Sequence, residues 1–335
     1  MTQESPDPEI CDAVVVLPVL NEADYVVDAV NDLRGGNSGV LIWVMDGGSV
    51  DGTIDLVRGM TARDAQLHLF DNPGGSQSHA MNLAAQMAAD AGYRIMVRAD
   101  AHCRYPAEFV QGVIRLLTNK VADSVTVPLI ATQVAYTRWQ LANGELQRSW
   151  LGNGGARHRQ LGQSGWVDHG HHAAFLVDRF LAVGGYDNNL CACEDVDYDH
   201  RQQIAGGRIW FAVNWPVVYM PRANPRATWQ QMLRNGRARM QVALKHRRRL
   251  NRRQLLPVVA LTGLICAPLG LLWWPAVLPA MCYLALVTAL ALRIGRKGGV
   301  VHSMRIAALA VTSHAGFGAG VLRVLMGRMK RGAPV

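Results

Sequence analysis

After Met240 the sequence contains no aspartate or glutamate. Fourteen Lys/Arg fall in that last stretch, against 20 Lys/Arg and 25 Asp/Glu before it, so the formal net charge of +9 averages an acidic segment and a strongly basic one. A basic, acid-free tail suits nucleic acid in principle. Here, however, the cations bracket long apolar runs, and a membrane is the partner that such an arrangement fits; no nucleic acid is expected. Other absences narrow the reading further. Residues Met1 to Cys11 hold no apolar core of a secretory signal, which keeps the following domain in the cytoplasm. The six cysteines form no CxxC pair, Cys191-Ala-Cys193 being one residue too tight, so neither a zinc site nor a disulfide framework is expected. No GxGxxG follows the first apolar run, which argues against a dinucleotide-dependent oxidoreductase. There is no internal repeat.

Leu255 to Leu292 carries no charged residue over 38 positions, whereas one bilayer-crossing helix takes about 20. Two crossings fit, turning near Trp273, Trp274 and Pro275, where paired indoles suit the interface. Lys245 to Arg253 before the pair and Arg293, Arg296 and Lys297 after it are short basic flanks, which place both ends of the hairpin on the cytoplasmic side. A third apolar run, Ile306 to Leu322, has 17 residues with His314 and several glycines among them. It is a short crossing, or a re-entrant or interfacial helix; a full crossing would leave Arg323, Arg328, Lys330 and Arg331 outside, against the charge rule.

Upstream, apolar periodicity alternates between strand and helix. Strands are expected at Ala13 to Leu17, Val40 to Met45, Gln66 to Phe70 and Tyr93 to Ala99. Helices are expected at Glu22 to Leu33, Asp51 to Met60, Ser76 to Ala91 and Pro106 to Leu117. Four such alternations predict an α/β domain with a mostly parallel sheet covered on both faces. A strand at Ser124 to Val127 follows, then a Gly-rich stretch from Gly144 to Gly170 that reads as a long loop. A strand and helix come next within His172 to Val183, a helix at Asp195 to Ala205, a strand at Arg208 to Val213, and a basic amphipathic helix at Thr228 to Leu244. The expected organisation is a tail (1–11), a catalytic domain (12–227), a basic interface helix (228–254) and a membrane region of two or three helices (255–335).

Ligands of such sheets bind beyond the carboxyl ends of the strands. Those ends read Pro18-Val-Leu-Asn21-Glu22, Asp46-Gly-Gly-Ser49-Val-Asp51-Gly-Thr53 and Asp100-Ala-His102. In the second, a carboxylate able to accept from a base or ribose edge precedes glycines that allow a close backbone approach; the same residues also make a plain capped turn. In the third, alternation points Asp100 and His102 the same way, and the pair suits a divalent cation; an Asp capping the next helix beside a surface histidine is the plainer alternative. Glu194-Asp195 opens a helix, where a carboxylate is stabilised and is also able to take a proton. Gln231 and Arg234 share one helix face. His169, His171 and His172 suggest a metal cluster, but adjacent residues of a strand point apart, and an acceptor loop fits them better.

Taken in order, Pro18-Val-Leu-Asn21-Glu22, Asp46-x-x-Ser49-x-Asp51-x-Thr53, Asn72-Pro-Gly with Ala80-Met-Asn82, Asp100-Ala-His102, Gly184-Gly185-Tyr186-Asp187, Glu194-Asp195 and Gln231-x-x-Arg234 resemble the inverting GT-A glycosyltransferases of family 2 over residues 12 to 240. Within that family, Asp100-Ala-His102-Cys-Arg-Tyr-Pro106 and the C-terminal hairpin are most similar to bacterial exopolysaccharide enzymes of the succinoglycan type. The resemblance implies a Rossmann-like GT-A domain followed by C-terminal transmembrane helices, in a multi-pass protein of the bacterial inner membrane with its catalytic domain in the cytoplasm. It implies that Pro18, Asn21, Glu22, Asp46, Ser49, Asn82 and Asp100 bind a nucleoside-diphosphate sugar, Asp46 through the nucleobase. Asp100 and His102 would hold Mn or Mg, Asp195 beside Glu194 would be the general base, and Gln231 and Arg234 would line the acceptor or diphosphate side. Two positions depart from the family pattern: His102 replaces the second acid of a DxD, and Asn235 replaces the Trp that follows QxxR in processive synthases. The expected reaction is transfer of one sugar to a hydroxyl of a lipid-linked saccharide. A polyprenyl-phosphate sugar synthase is the alternative enzyme, and a catalytically inactive, membrane-anchored nucleotide-sugar-binding subunit the alternative of another class.

Overall fold

The computed structural model describes residues 12–35, 39–132, 137–155 and 162–330. The chain folds as two units. The first comprises the described residues of Met1–Ile130, Gln160–Asn189 and Glu194–Tyr219; the second comprises those of Ala131–Arg159, Leu190–Cys193 and Met220–Val335.

The first unit is organised on a β-branched run. Strand β1 (Ala13–Val19) buries Val14, Val15 and Val16 completely, and each such side chain removed from water contributes about 1.5–3 kcal/mol. Flanking it in parallel are β2 (Leu41–Asp46), with Val19 opposite Asp46, and β4 (Ile95–Arg98), with Val16 opposite Arg98. Strand β3 (Leu67–Asp71) extends the parallel set from β2. The chain thus leaves β1 toward β2 and β3, then returns to the other side as β4. That reversal opens a crevice at the carboxyl ends of β1 and β4, the place where such sheets bind ligands.

The remaining strands are β5 (Cys103–Arg104), β6 (Ser124–Val127), β7 (Leu129–Ala131), β8 (Gly165–Val167), β9 (His171–Leu176), β10 (Ile209–Phe211) and β11 (Val217–Tyr219). The main sheet runs β3-β2-β1-β4-β9-β6-β10-β8, with β9 antiparallel to both β4 and β6, and a small sheet runs β5-β11-β7. Helix α1 (Val26–Arg34) buries Val26, Ala29, Val30 and Leu33, one face at helical spacing. Helices α2 (Thr53–Thr61), α3 (Gln77–Asp90) and α4 (Phe109–Lys120) complete the expected alternation, with ends shifted by one to four residues. One core gathers Val14, Val16, Met45, Met81, Met96, Phe175, Phe180, Tyr186 and Tyr198.

The expected Gly-rich loop differs from what forms. Arg138–Arg148 is helix α5, capped by the Thr137 hydroxyl, and Trp150–Asn153 is the single turn α6; residues 156–161 lie outside the described set. Apolar periodicity misses α5 because two of its five buried residues are polar: Gln140 and Asn143 are buried, and their amides donate to the carbonyls of Pro221 and Arg222 at 3.0 Å. Helices α7 (Val177–Ala182) and α8 (Glu194–Ile204) belong to the first unit.

In the second unit, α9 (Pro225–Lys245) starts earlier than the apolar pattern suggests. Asn224 caps it and Pro225 opens it. Three further helices follow: α10 (Arg252–Cys266), α11 (Leu278–Ile294) and the 32-residue α12 (Gly299–Lys330). Three helical segments, Arg252–Leu271, Trp274–Ile294 and Arg296–Gly327, are long and apolar enough to cross a membrane. They differ in what surrounds them. Helix α10 buries no residue, whereas α12 places Ile306, Leu309 and Ala310 against Ala142 and Leu146 of α5 and Val287 and Ala291 of α11. Further along α12, glycines let other helices touch its backbone. A methyl group on Gly236 of α9 would lie 2.1 Å from the Phe317 carbonyl oxygen, one on Gly320 2.3 Å from the Leu233 carbonyl oxygen, and one on Gly318 2.8 Å from the Pro257 carbonyl oxygen. Gly236→Ala is therefore expected to destabilise the second unit by ~1–3 kcal/mol, measured as a lower unfolding midpoint of the full chain in detergent; an unchanged midpoint would refute the close packing.

Candidate active site

The first two strand-end motifs form one stitched structure. Asn21 adopts left-handed backbone geometry at φ 56°; its amide donates to the Ser49 hydroxyl and its side-chain oxygen accepts from the Val50 amide, both at 2.9 Å. The Glu22 amide donates to the Thr53 hydroxyl at 2.9 Å, and the Ala23 amide to Asp51 at 3.0 Å. Asp46 is buried and turns its carboxylate back on its own loop, accepting from the amides of Gly48 at 2.8 Å and Ser49 at 3.1 Å. Gly48 and Gly52 sit at φ 94° and 95°, where a Cβ is strained, which accounts for glycine at those two places. Pro18 is half-buried on β1, one residue before the level of Asp46.

Asp100 lies two residues beyond β4. Its Oδ1 accepts from the Gln77 amide at 2.6 Å and from Arg98 Nε at 3.3 Å, while Oδ2 faces Arg98 Nη2 at 3.4 Å and His171 Nε2 at 3.7 Å. Its backbone amide donates to the Tyr105 hydroxyl at 2.5 Å. Burial by itself would raise the Asp100 pKa; the Arg98 charge, followed by His171 and His102, overcomes it and holds the carboxyl well below the usual range. His102, somewhat exposed, meets Glu22 Oε1 through Nδ1 at 3.1 Å. An imidazole whose Nδ1 proton goes to a carboxylate carries its lone pair on Nε2, the form in which histidine ligates metals.

The acid pair at the head of α8 is tied to the same centre. Arg98 Nη1 lies 4.0 Å from Glu194 Oε1, and Asp195 Oδ1 accepts from the Val196 amide at 2.8 Å. Burial, followed by the neighbouring Asp195, raises the Glu194 pKa, and Arg98 opposes that rise. Burial would lower the Arg98 pKa, but Asp100, Tyr186, Glu194 and Asp195 together push it above its ordinary value. The strand-end motifs do not single out Arg98 or Gln77; the available signal is a cation closing the otherwise apolar strand Ile-Met-Val-Arg98.

The three histidines separate. His171 faces Asp100, while His169 and His172 flank the buried Asp199, each at 2.6 Å. Among the described residues, no group of three or more His, Cys, Asp or Glu converges as a metal-binding set. Asn82 clamps the backbone of Tyr186, donating to its carbonyl and accepting from its amide at 2.8 Å each. Gly185 is needed there because a Cβ would stand 2.3 Å from the Asn82 side-chain oxygen. Gln231 and Arg234 belong to α9 of the second unit, Arg234 exposed and the Gln231 side-chain oxygen buried without a hydrogen-bond partner. A cleft of about 290 Å³ lined by Asp12, Arg94, Ile95, Leu117, Asp123 and Arg179 lies at the amino ends of the strands, away from the site carboxylates.

Residues 14–182 match Glycosyl transferase family 2. The chain is also 33% identical over 324 residues to the succinoglycan biosynthesis protein ExoA of Rhizobium meliloti (strain 1021), covering 95% of this chain and 96% of the relative. The protein belongs to glycosyl transferase family 2. Its GT-A fold has a solved counterpart in the mannosyltransferase PcManGT from Pyrobaculum calidifontis, in complex with GDP-Man and Mn2+. The TM-score is 0.57 at 20% identity, covering 95% of this chain and 88% of that one.

In this glycosyltransferase, ionising Glu194 works against folding. Its folded pKa lies above the unfolded value, so its contribution to stability is fully present below that unfolded value and is lost as pH rises through the folded one. Glu194→Gln should therefore raise the unfolding midpoint near pH 7.5 by about 2–4 °C, and the gain should vanish in acid below about pH 4. A pH-independent effect would contradict the raised pKa.

Proposed function

We propose that the protein is an inverting glycosyltransferase of exopolysaccharide or cell-surface glycan synthesis that moves one sugar from a nucleoside-diphosphate sugar to a hydroxyl of a lipid-linked saccharide. The observation that carries this reading is the convergence, at the carboxyl edge of the parallel strands, of Asp100 and the Glu194-Asp195 pair. The relation to a succinoglycan biosynthesis protein supports the pathway class, and Asn235, in the place of the processive enzymes' Trp, supports a single transfer.

Asp195 takes the proton of the acceptor hydroxyl as its oxygen attacks the anomeric carbon from the face opposite the leaving group. The bond from that carbon to the diphosphate breaks, and its electron pair departs with the nucleoside diphosphate. Asp46 and the stitched loop of Asn21, Glu22 and Ser49 receive the nucleotide, Asn82 holds the turn beside it, and Gln231 and Arg234 serve the acceptor or diphosphate. Asp100, kept ionised, and His102, oriented by Glu22, are the donors suited to a divalent cation, Mn or Mg. Such a cation, when bound, neutralises the departing diphosphate. Asp195→Asn is expected to keep nucleotide-sugar binding within about threefold and to lower transfer by about 10²–10⁴-fold; full turnover by this variant would remove Asp195 from the base role.

The second unit holds the enzyme on the cytoplasmic face of the bacterial inner membrane. Between α10 and α11, Leu271, Leu272, Trp273 and Trp274 are 95%, 89%, 67% and 69% exposed, an apolar tip suited to lipid. We assign the membrane insertion to this hairpin and leave α12 outside the bilayer core. Gly316 and Gly320 of α12 touch α9, which carries Arg226, Arg234, Arg237 and Arg239, and His302 of α12 pairs with Glu145 of α5 at 3.0 Å. The charges of α9 and α5 are costly in hydrocarbon, and α12 packs on both helices. A reporter fused after Val335 should then report the cytoplasm; a periplasmic signal would mean that α12 crosses.

A further inference from the structure

We propose that Arg98 is the positioning residue of this active site: its single buried guanidinium sets the carboxylate beyond β4 and the carboxylate at the head of α8 at their working separation, and a chain through Tyr186, His172 and Asp199 fixes the guanidinium itself. The proposal rests on the roles given above to Asp100 and to the Glu194-Asp195 pair.

Three observations carry it. First, the Arg98 side chain is only 6% exposed, yet among the described residues no carboxylate is seen to close on it as a tight fork. Its contacts to Asp100 are 3.3 and 3.4 Å and that to Glu194 is 4.0 Å, against about 2.7–2.9 Å for a tight charged pair. The cation is shared between the two halves of the site and committed to neither.

Second, the hydrogen bonds behind Arg98 have a single consistent direction. Asp199 lies between His169 Nδ1 and His172 Nε2, both at 2.6 Å. Where the Asp199 oxygens accept from both rings, a His172 ring with a single N–H carries that proton on Nε2 and its lone pair on Nδ1. That nitrogen accepts from the Tyr186 hydroxyl at 2.8 Å, and the Tyr186 oxygen accepts from Arg98 Nη1 at 3.2 Å. Each link from Arg98 Nη1 to Asp199 is a single hydrogen bond, so turning any member breaks one in a buried site.

Third, the chain is mounted on rigid parts. Asn82 clamps the Tyr186 backbone on both sides, and the Tyr186 ring packs edge-on against Phe175, Phe180 and Tyr198. His172 packs edge-on against Phe175 and Tyr198. Displacing the guanidinium would shift Asp100 and Glu194 together, and misplacing reacting groups by about 1 Å can cost on the order of a hundredfold in rate.

The test uses the full chain in native membranes, with release of nucleoside diphosphate from a panel that includes UDP-glucose and GDP-mannose as readout. Tyr186→Phe removes one hydroxyl and almost no volume. It should lower kcat about tenfold to a hundredfold, with donor KM within about threefold and the unfolding midpoint within a few degrees of wild type. Arg98→Met should lose more, and Arg98→Lys should recover part of that loss. In the Arg98→Met background, Tyr186→Phe should cost nothing further, because its effect passes through the missing guanidinium. A fully active Tyr186→Phe enzyme, or losses that multiply in the double variant, would overturn the positioning role alone. A wild-type enzyme inert on every nucleotide sugar of the panel would overturn the transferase reading and this proposal with it.

Discussion

A guanidinium cannot remain buried without acceptors arranged around it, and the acceptors that surround Arg98 include Asp100 and Glu194, two of the carboxylates proposed above for the chemistry. The strand that delivers it, β4, lies against β1 in a register that brings Arg98 level with Val16, so the cation enters the site from the floor of the sheet. From there it keeps Asp100 ionised in spite of burial and offsets part of the repulsion between Glu194 and Asp195. Two elements far apart in sequence, the end of β4 and the head of α8, thereby share one charge.

The loops proposed to receive the nucleotide are organised differently, by amides and short polar side chains. Asn21, Ser49, Asp51 and Thr53 spend much of their hydrogen-bonding capacity on one another's loops. Their residue types follow from that geometry as much as from any ligand. Such a cradle is formed before the donor arrives, which is how a site avoids ordering itself at the expense of affinity.

Much of this was legible in the sequence. The runs Ala13 to Leu17 and Ser124 to Val127 are strands because β-branched residues recur there, and the carboxylates at the strand ends stand where the topology puts them. The family was readable from the order of its motifs. Arg98 was not, because a cation after three apolar residues looks like the solvent end of any strand; only the register reveals what it reaches. Helix α5 was hidden for a related reason, since Gln140 and Asn143 are buried through backbone carbonyls and leave no apolar stripe. The histidines looked like one cluster along the chain, yet His171 and His172 project to different partners, as strand alternation requires.

The sequence Gly316-Phe-Gly318-Ala-Gly320 gives the second unit a property that its apolar composition does not suggest. Because α9 and α10 reach α12 at its main chain, the three helices are joined where the α12 glycines leave no room for an added side chain. A C-terminal segment joined in that way is not a detachable tail. Cutting the chain after α9 to obtain a soluble enzyme would strip α9 of the partner that Gly236 is shaped for and leave bare backbone facing water. The C-terminal apolar helices are thus part of what gives α9, with Gln231 and Arg234 on it, a defined shape, and removing them for solubility would unsettle α9 as well.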